Sequence, residues 1–375
     1  MTELRDVLQR YVDDGTLAGA VGLVARGDGV EVAVAGAADL ERGVPMARDS
    51  IFRIASITKP VTAAAVMMLV EDGRIALDDP IGEWLPELAA PMVVRTPQSP
   101  VDDVVPAVRP ITVEDLLTFR AGLGWPGAEL MTAPQVAMLA EQGQQKHARD
   151  PQHVSPPGEW MAAYAHIPLL FQPGEAFLYH TCSDLQGVLV ARVTGRTLPE
   201  FMAERIFEPL GMKDTGFAVP AADLDRFTGY YDAERELLDG PDGQWSTLPA
   251  FPSGGGGLVS TADDWLAFAR MLLANGGDLL SPESVGLMTT DHLTQEQRDG
   301  GALYLEGQGW GYGGSVDVAP IDPWNVPGRY GWVGGTGTAA HLIPSTGAVT
   351  ILLTQLAATS PVQPQHMRDF WQYAA

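Results

Sequence analysis

The two ends of the chain carry the apolar runs that are typical of strands. Residues 19–26 and 30–38 are such runs, and the Gly-Asp-Gly sequence at 27–29 between them is a hairpin signal. Residues 337–343 and 348–355 repeat the pattern near the other end. Strands from both ends can share one antiparallel sheet only if the chain termini meet, so we expect a sheet assembled from both ends.

Helix signals fill the middle of the chain and close both ends. Apolar periodicity and capping residues predict a short helix opened by a capping-box variant at Thr112, and further helices over 4–14, 57–72, 184–194, 198–207, 262–275 and 363–373. Ser183 and Thr261 are the expected N-caps of two of these helices. The Pro- and Val-rich stretch 91–110 is expected to be extended and irregular.

Together these patterns predict an α/β fold in which helices flank an antiparallel sheet. The strand-rich ends, 1–59 and 246–375, would form one domain, and 60–245 would form an inserted, mostly helical lobe. Because a cleft between two lobes is the usual place for a binding site, we expect the site there, walled by 89–110 and 126–172.

Composition narrows the class of protein without giving a function. The chain of 375 residues is 46% hydrophobic and 19% charged, which provides enough apolar material for a large, ordered core. Its length exceeds the size at which one core usually stops growing, which agrees with two packed lobes. With 23 basic and 47 acidic side chains the net charge is −24, which disfavours binding to nucleic acid or to an anionic membrane.

The sequence predicts neither a targeting segment nor a metal site. Its start lacks a basic stretch followed by an apolar run, and no window approaches about 18 uninterrupted apolar residues, so we expect a cytoplasmic protein, although a trimmed leader would leave the same sequence. Cys182, the single cysteine, excludes an intrachain disulfide, and the seven histidines show no paired-ligand spacing. We expect no cofactor, and the oligomeric state stays open.

A serine three residues before a lysine, at the start of an apolar helix, carries the first candidate chemistry. Pro60 is tolerated only in a first helical turn, so Ser56 should lie at the positive end of the helix beside unpaired N–H groups. Residues three apart share a helix face, which makes Ser56 and Lys59 neighbours. If Lys59 is buried in this helix, its ammonium form is disfavoured and its amine can take the serine proton.

Simpler alternatives compete with this interpretation. Ser56 could be an ordinary N-cap and Lys59 a surface lysine, although the helix is apolar nearly all round. Cys182, two residues after His180, is a weaker candidate nucleophile, because adjacency in sequence does not establish a catalytic pair. The glycine run 254–257 lacks the Lys-Ser/Thr of a phosphate-binding loop and is expected to give tight packing.

With Ser56 and Lys59 as its first motif, the chain resembles the superfamily of serine β-lactamases, penicillin-binding proteins and related esterases. The region around them, 53–85, and five further stretches match in the order of the superfamily: 111–123, 172–179, 195–217, 253–271 and 330–347. These stretches span nearly the whole chain and are far more specific than the Ser-Lys pair alone. The resemblance implies a β-lactamase/transpeptidase-like fold and an acyl-enzyme on Ser56.

The resemblance places Tyr179 at the start of the second motif, which is usually Tyr-x-Asn, and directs its phenol toward Ser56. A tyrosine near a lysine can have its pKa lowered and can pass protons to a leaving group. Taken alone, Tyr179 would be read as a buried tyrosine with one hydrogen bond. Thr181 stands where the asparagine that contacts a β-lactam amide is usual, so it is a candidate substrate contact.

The third motif, usually Lys-Thr-Gly or His-x-Gly on a strand, is matched by 332–334. The resemblance implies that Gly334 lets substrate approach the strand and that the N–H groups of Gly335 and Ser56 form an oxyanion hole. A glycine-rich turn between strands would fit the same residues in isolation. Trp332 replaces the cationic or polar side chain that helps to hold a β-lactam carboxylate.

Both departures resemble the carboxylesterase (family VIII) branch of the superfamily, whose second motif has the form Tyr-Ser-x-x-x-Asp and whose third is Trp-x-Gly. The stretch from Tyr179 to Asp184 fits this form, except that His180 stands where serine is usual.

We therefore predict a serine hydrolase acting on small carboxylic esters, with Ser56 as nucleophile and Lys59 and Tyr179 as proton carriers. Three alternatives stay open. A β-lactamase or D-amino-acid peptidase or amidase would act on an amide, an acyltransferase would use the same residues, and a catalytically silent member would only bind ligands in the cleft.

Overall fold

Strands from the two ends of the chain form one antiparallel sheet in the computed structural model, which describes residues 3–141 and 150–375. The strands are β1 (Gly19–Arg26), β2 (Gly29–Asp39), β3 (Val44–Pro45), β4 (Phe52–Arg53), β5 (Met92–Val94), β6 (Val104–Pro106), β7 (Tyr230–Tyr231), β8 (Leu237–Asp239), β9 (Val259–Ser260), β10 (Gly309–Trp310), β11 (Ser315–Val316), β12 (Tyr330–Gly334), β13 (Thr338–Ile343) and β14 (Ala348–Thr354). The eight-stranded sheet has the order β10-β11-β12-β13-β14-β1-β2-β3. Because β1 pairs antiparallel with β14, the prediction that the sheet joins both chain ends is confirmed.

Helices cover both faces of this sheet. They are α1 (Leu4–Asp13), α2 (Lys59–Glu71), α3 (Val113–Leu117), α4 (Pro134–Glu141), α5 (Pro157–Tyr164), α6 (Thr181–Thr194), α7 (Leu198–Met202), α8 (Glu208–Leu210), α9 (Ala262–Leu273), α10 (Pro282–Met288), α11 (Gln295–Gly300), α12 (Ala302–Leu305) and α13 (Gln365–Ala374), with a π-helical turn (Ala203–Phe207) between α7 and α8. Helices α1 and α13 lie on one face, and α9 lies against β1, β13 and β14 on the other. Burial from both sides explains why β1 and β14 read as continuous apolar runs without alternation.

The long middle of the chain is mostly helical and brings α2 against α6. Helix α2 is buried along its length from Lys59 to Leu69, and α6 packs on α2 and α3. Helix α2 also touches β12 of the sheet, so the segment that carries the first motif lies where the helices meet the sheet edge. The domain boundaries at 60 and 245 stay a prediction.

Local signals located most elements, with two corrections. The predicted N-cap at Ser183 is wrong, because α6 already begins at Thr181, and Ser183 is buried inside its first turn. The stretch 91–110 is not irregular throughout, since β5 and β6 pair within it as a small hairpin. The caps at Thr112 and Thr261 are confirmed, as each hydroxyl accepts a hydrogen bond from a backbone N–H of the helix that follows.

Candidate active site

Ser56 lies in a 3₁₀ turn (Ala55–Thr58) that leads directly into α2. Pro60 is the second residue of α2, which agrees with its expected place in the first turn. The residue before the serine, Ala55, has φ 44°, a left-handed conformation that is uncommon for a residue with a Cβ. Strained backbone of this kind concentrates at functional sites, and here it turns the chain sharply just before Ser56.

Lys59 is completely buried, and its amine is close to the serine hydroxyl. The Nζ atom lies 2.9 Å from Ser56 Oγ and 3.2 Å from His180 Nδ1, and it donates to the carbonyl oxygen of Gly255. Burial lowers the pKa of Lys59 to about 7, against the opposing charge of Asp184. A large share of the molecules therefore carries a neutral amine beside Ser56 near neutral pH.

Tyr179 lies on the other side of this pair. Its Oη accepts a hydrogen bond from Trp332 Nε1 at 2.7 Å and is also hydrogen-bonded to Ser56. Burial raises the pKa of Tyr179 to about 12, which is opposite to the lowering expected from a neighbouring lysine. Desolvation is the largest cause and outweighs the hydrogen bonds from Ser56 and Trp332, so Tyr179 is a protonated phenol able to donate.

Gly334 and Gly335 lie at the junction between β12 and the Ser56 turn, but only one of them faces open space. A Cβ on Gly334 would come within 2.1 Å of Thr338 Oγ1 and 2.6 Å of the Ile54 carbonyl oxygen. Glycine at 334 therefore lets β12 approach the chain's own backbone. A Cβ on Gly335 would meet nothing within 4 Å, so the backbone there is open to a ligand.

The structure does not bring the Thr181 side chain to the other site residues. Thr181 is completely buried in the first turn of α6. Cys182 is buried too, and burial raises the pKa of its thiol to about 12, which weighs against a thiolate nucleophile.

His180 and Asp184 lie next to Lys59, a neighbourhood that the sequence did not predict for either of them. Asp184 Oδ2 lies 3.2 Å from His180 Nε2, and Asp184 Oδ1 accepts hydrogen bonds from Ser253 Oγ and the Gly255 N–H at 2.6 and 3.0 Å. The spacing of four residues between a histidine and an aspartate at the start of a helix was the signal that could have paired them.

The glycine run 254–257 packs tightly, as expected. A Cβ on Gly254 would lie 2.4 Å from the Ser183 carbonyl oxygen, and one on Gly257 would lie 2.8 Å from the Ser253 carbonyl oxygen. This close approach is what brings the Gly255 carbonyl to Lys59.

Aromatic rings enclose the hydroxyl of Tyr179. Tyr304 stacks on Tyr179 with ring centroids 4.6 Å apart, and Trp310 meets Trp332 edge to face at 4.8 Å. Phe119 lies tilted 4.7 Å from Trp310. Phe119, Trp310 and Trp332 are buried in this aromatic wall, and the partly exposed rings of Tyr179 and Tyr304 are its apolar surface.

None of the helices in 3–141 and 150–375 is long and apolar enough to cross a membrane. The same ranges contain no group of three or more His, Cys, Asp or Glu side chains arranged to hold a metal ion.

Comparison with known proteins gives matches over nearly the whole chain. The family model described as Beta-lactamase matches residues 4–370. Protein Rv1367c of Mycobacterium tuberculosis is 40% identical over 366 residues, which cover 93% of this chain and 88% of that protein. Esterase EstB of Burkholderia gladioli is 32% identical over 375 residues, covering 94% and 89%. The solved structure of EstCE1, a hydrolase with promiscuous acyltransferase activity, superposes with a TM-score of 0.80 at 26% identity and covers 99% of this chain and 97% of its own.

Proposed function

The chain belongs to the β-lactamase family and is a serine hydrolase of its β-lactamase-like fold, and from this premise we propose that it hydrolyses small carboxylic esters. The observation that carries the proposal is the buried amine of Lys59, 2.9 Å from Ser56 Oγ. A neutral amine at hydrogen-bond distance from a hydroxyl is the arrangement that general-base activation of a serine requires.

In the proposed reaction Ser56 Oγ attacks the ester carbonyl while its proton passes to Lys59 Nζ. The N–H groups of Ser56 and Gly335 donate hydrogen bonds to the developing oxyanion. Each such donor commonly stabilises the transition state by about 3 kcal/mol. Tyr179 donates its phenolic proton to the departing alkoxide, and the Lys59 ammonium returns a proton to Tyr179. Water then attacks the acyl-enzyme along the reverse of this path and regenerates Ser56.

An ester is favoured over a β-lactam because of what Trp332 does. Its indole N–H is used by Tyr179, and its ring is packed into the aromatic wall, so this position carries a buried apolar ring instead of a cation that could hold a carboxylate. The net charge of −24 also disfavours anionic substrates at long range. The similar EstB is an esterase, which agrees with this substrate class. Gly334 would let strand β12 lie close to the backbone that precedes Ser56. Thr181 is buried in α6 beneath the second motif, so it would support that motif from inside the protein.

Acyl transfer to a small alcohol is a second candidate, and the aromatic wall favours it. An apolar surface beside the acyl-enzyme would hold an organic acceptor better than it holds water. The similar EstCE1 is a hydrolase with promiscuous acyltransferase activity. Adding an alcohol to the ester assay and measuring the new ester against the free acid tests this candidate.

The deciding experiment compares the purified protein with its Ser56→Ala variant on p-nitrophenyl butyrate, with a chromogenic cephalosporin in parallel. We expect ester turnover that the substitution abolishes, together with little cephalosporin turnover. Dominant cephalosporin turnover would replace the ester assignment by a β-lactamase. Equal ester rates in the two proteins would remove Ser56 from the mechanism.

A further inference from the structure

The backbone at His180 adopts a rare turn that brings two consecutive side chains to the same amine. His180 has φ 82° and ψ −64°, and the Thr181 N–H donates to the Tyr179 carbonyl oxygen at 3.2 Å, which together form the strained, positive-φ type of γ-turn. In an extended segment consecutive side chains point to opposite sides. Here both reach Lys59 Nζ, which lies 4.9 Å from the Tyr179 ring centroid and 3.2 Å from His180 Nδ1.

The partners of the imidazole assign its tautomer. Asp184 Oδ2 lies 3.2 Å from His180 Nε2, and a carboxylate oxygen this close to a ring nitrogen favours the tautomer with the proton on Nε2. His180 Nδ1 is then an acceptor, and the N–H of Lys59 donates to it. His180 is only 12% exposed and Asp184 is completely buried, so water competes weakly for either bond.

With this tautomer of His180, the partners of the two N–H groups and of the lone pair on Lys59 Nζ can be assigned. A neutral amine has two N–H groups and one lone pair, and three groups surround Nζ: the Gly255 carbonyl oxygen, His180 Nδ1 and Ser56 Oγ. The first two can only accept, so they take both N–H groups, and the lone pair is left for the serine hydroxyl. Asp184 lies against both acceptors, since its Oδ2 is 3.2 Å from His180 Nε2 and its Oδ1 accepts a hydrogen bond from the Gly255 N–H.

We propose that His180 is a positioning residue which accepts one N–H of Lys59 and thereby directs the lone pair of the amine at Ser56. The inference rests on the proposed function, because it concerns the same nucleophile and base. When Ser56 is activated, the proton moves from Ser56 Oγ to Lys59 Nζ, while His180 keeps its Nε2 proton on the side of Asp184.

The arrangement also has a consequence for pH dependence. Within residues 3–141 and 150–375, the charged and titratable groups seen to face His180 are Lys59 from α2, Asp184 from α6 and Tyr179 from the preceding residue. Protonation of His180 places an N–H where Lys59 needs an acceptor and adds a second positive charge beside its amine. Serine activation is therefore lost in acid by protonation of either group, as one coupled pair.

The rate at which a fluorophosphonate labels Ser56, followed by mass spectrometry between pH 5 and 9, tests the inference without relying on a substrate. Glycine suits the positive φ, so the His180→Gly variant removes the imidazole without backbone strain. We expect it to label at least about tenfold more slowly and to recover in part with added imidazole. In the His180→Asn variant the amide can accept from Lys59 and donate to Asp184, so we expect most of the loss to be restored, with an acid limb that fits one proton.

A His180→Gly variant that labels at the wild-type rate with the wild-type pH profile would overturn the inference. A slow variant that neither imidazole nor asparagine restores would overturn it too, since that result belongs to a folding defect. Wild-type protein that labels at Ser56 but does not hydrolyse p-nitrophenyl butyrate contradicts the ester proposal alone, and the His180 comparison still decides the inference.

Discussion

Two cations flank Ser56 in sequence and lie equally deep, but their surroundings differ. Arg53 is 3% exposed and is saturated with acceptors: Asp239 Oδ2, the Gly240 carbonyl oxygen at 2.8 Å and the Thr228 carbonyl oxygen at 2.6 Å. Its guanidinium also stacks on Phe227. Lys59 is 0% exposed and contacts the uncharged groups of Ser56, His180 and Gly255.

The difference shows what each kind of burial does. A buried arginine that is bonded to a carboxylate keeps its charge and anchors the strand that precedes the nucleophile. A buried lysine among neutral acceptors is held near its titration point, so its proton can move during a reaction. The two residues three positions to either side of Ser56 therefore differ in protonation: Arg53 keeps a fixed positive charge, whereas Lys59 can lose and regain a proton.

The largest expected effect comes from removing the amine of Lys59. We expect Lys59→Met to lower kcat/KM for p-nitrophenyl butyrate by about 10³-fold, because general-base catalysis typically contributes about 10²- to 10⁴-fold. The chain should stay folded, since an apolar side chain of similar length replaces a desolvated amine. Steady-state kinetics and urea unfolding check the two parts, and a loss of less than tenfold would contradict the role of Lys59.

The same variant tests the protonation state in the absence of substrate. The pKa of Lys59 is about 7 in the folded protein and about 10.4 in an unfolded chain. Between these values the unfolded chain holds the extra proton, so the stability of the wild type relative to Lys59→Met should rise from pH 7 to pH 10. The free energies of unfolding of both proteins at pH 7 and 9 measure this difference, and a constant difference would mean that the buried lysine stays charged.

Arg53→Met is the matched substitution at the arginine that keeps its charge. We expect it to lower the free energy of unfolding. Removing the guanidinium leaves the buried Asp239 carboxylate unpaired, which typically costs about 3–5 kcal/mol. Urea unfolding should therefore separate the two methionine variants, with Arg53→Met far less stable than Lys59→Met. Equal stabilities would mean that the two cations do not differ as their contacts indicate.

The sequence was most informative where chemistry depends on local geometry. Spacing by three residues and Pro60 were enough to place Ser56 beside Lys59, and the apolar runs at the chain ends were enough to predict the sheet. The Gly255 carbonyl and the His180 ring could not be placed, because they reach Lys59 from positions 196 and 121 residues away. The pKa of Tyr179 was expected to move in the wrong direction, because depth of burial is a property of the packed molecule.

The strained backbone at Ala55 and His180 could not be predicted from the sequence either. Alanine at 55 gives no sign of a positive φ, and histidine at 180 gives only a weak one, because the positive-φ preference of histidine is mostly for the left-handed helical region and not for the γ-turn found here. The failure of Ser183 as a cap has the same origin, since the γ-turn at His180 starts α6 three residues earlier than the capping signal predicts.

The smallest expected effect concerns Trp332, whose indole N–H donates to Tyr179 and whose ring packs in the aromatic wall. A substitution can remove the first role and keep the second. Trp332→Phe keeps an aromatic ring in the wall but removes the N–H that Tyr179 Oη accepts at 2.7 Å. One hydrogen bond is typically worth about 1–1.5 kcal/mol, so we expect kcat/KM to fall about tenfold. If Trp332 acts through the phenol, the same substitution made in a Tyr179→Phe background should have almost no further effect. An equal loss in both backgrounds would show that Trp332 contributes to substrate binding alone and that Tyr179 needs no support from it.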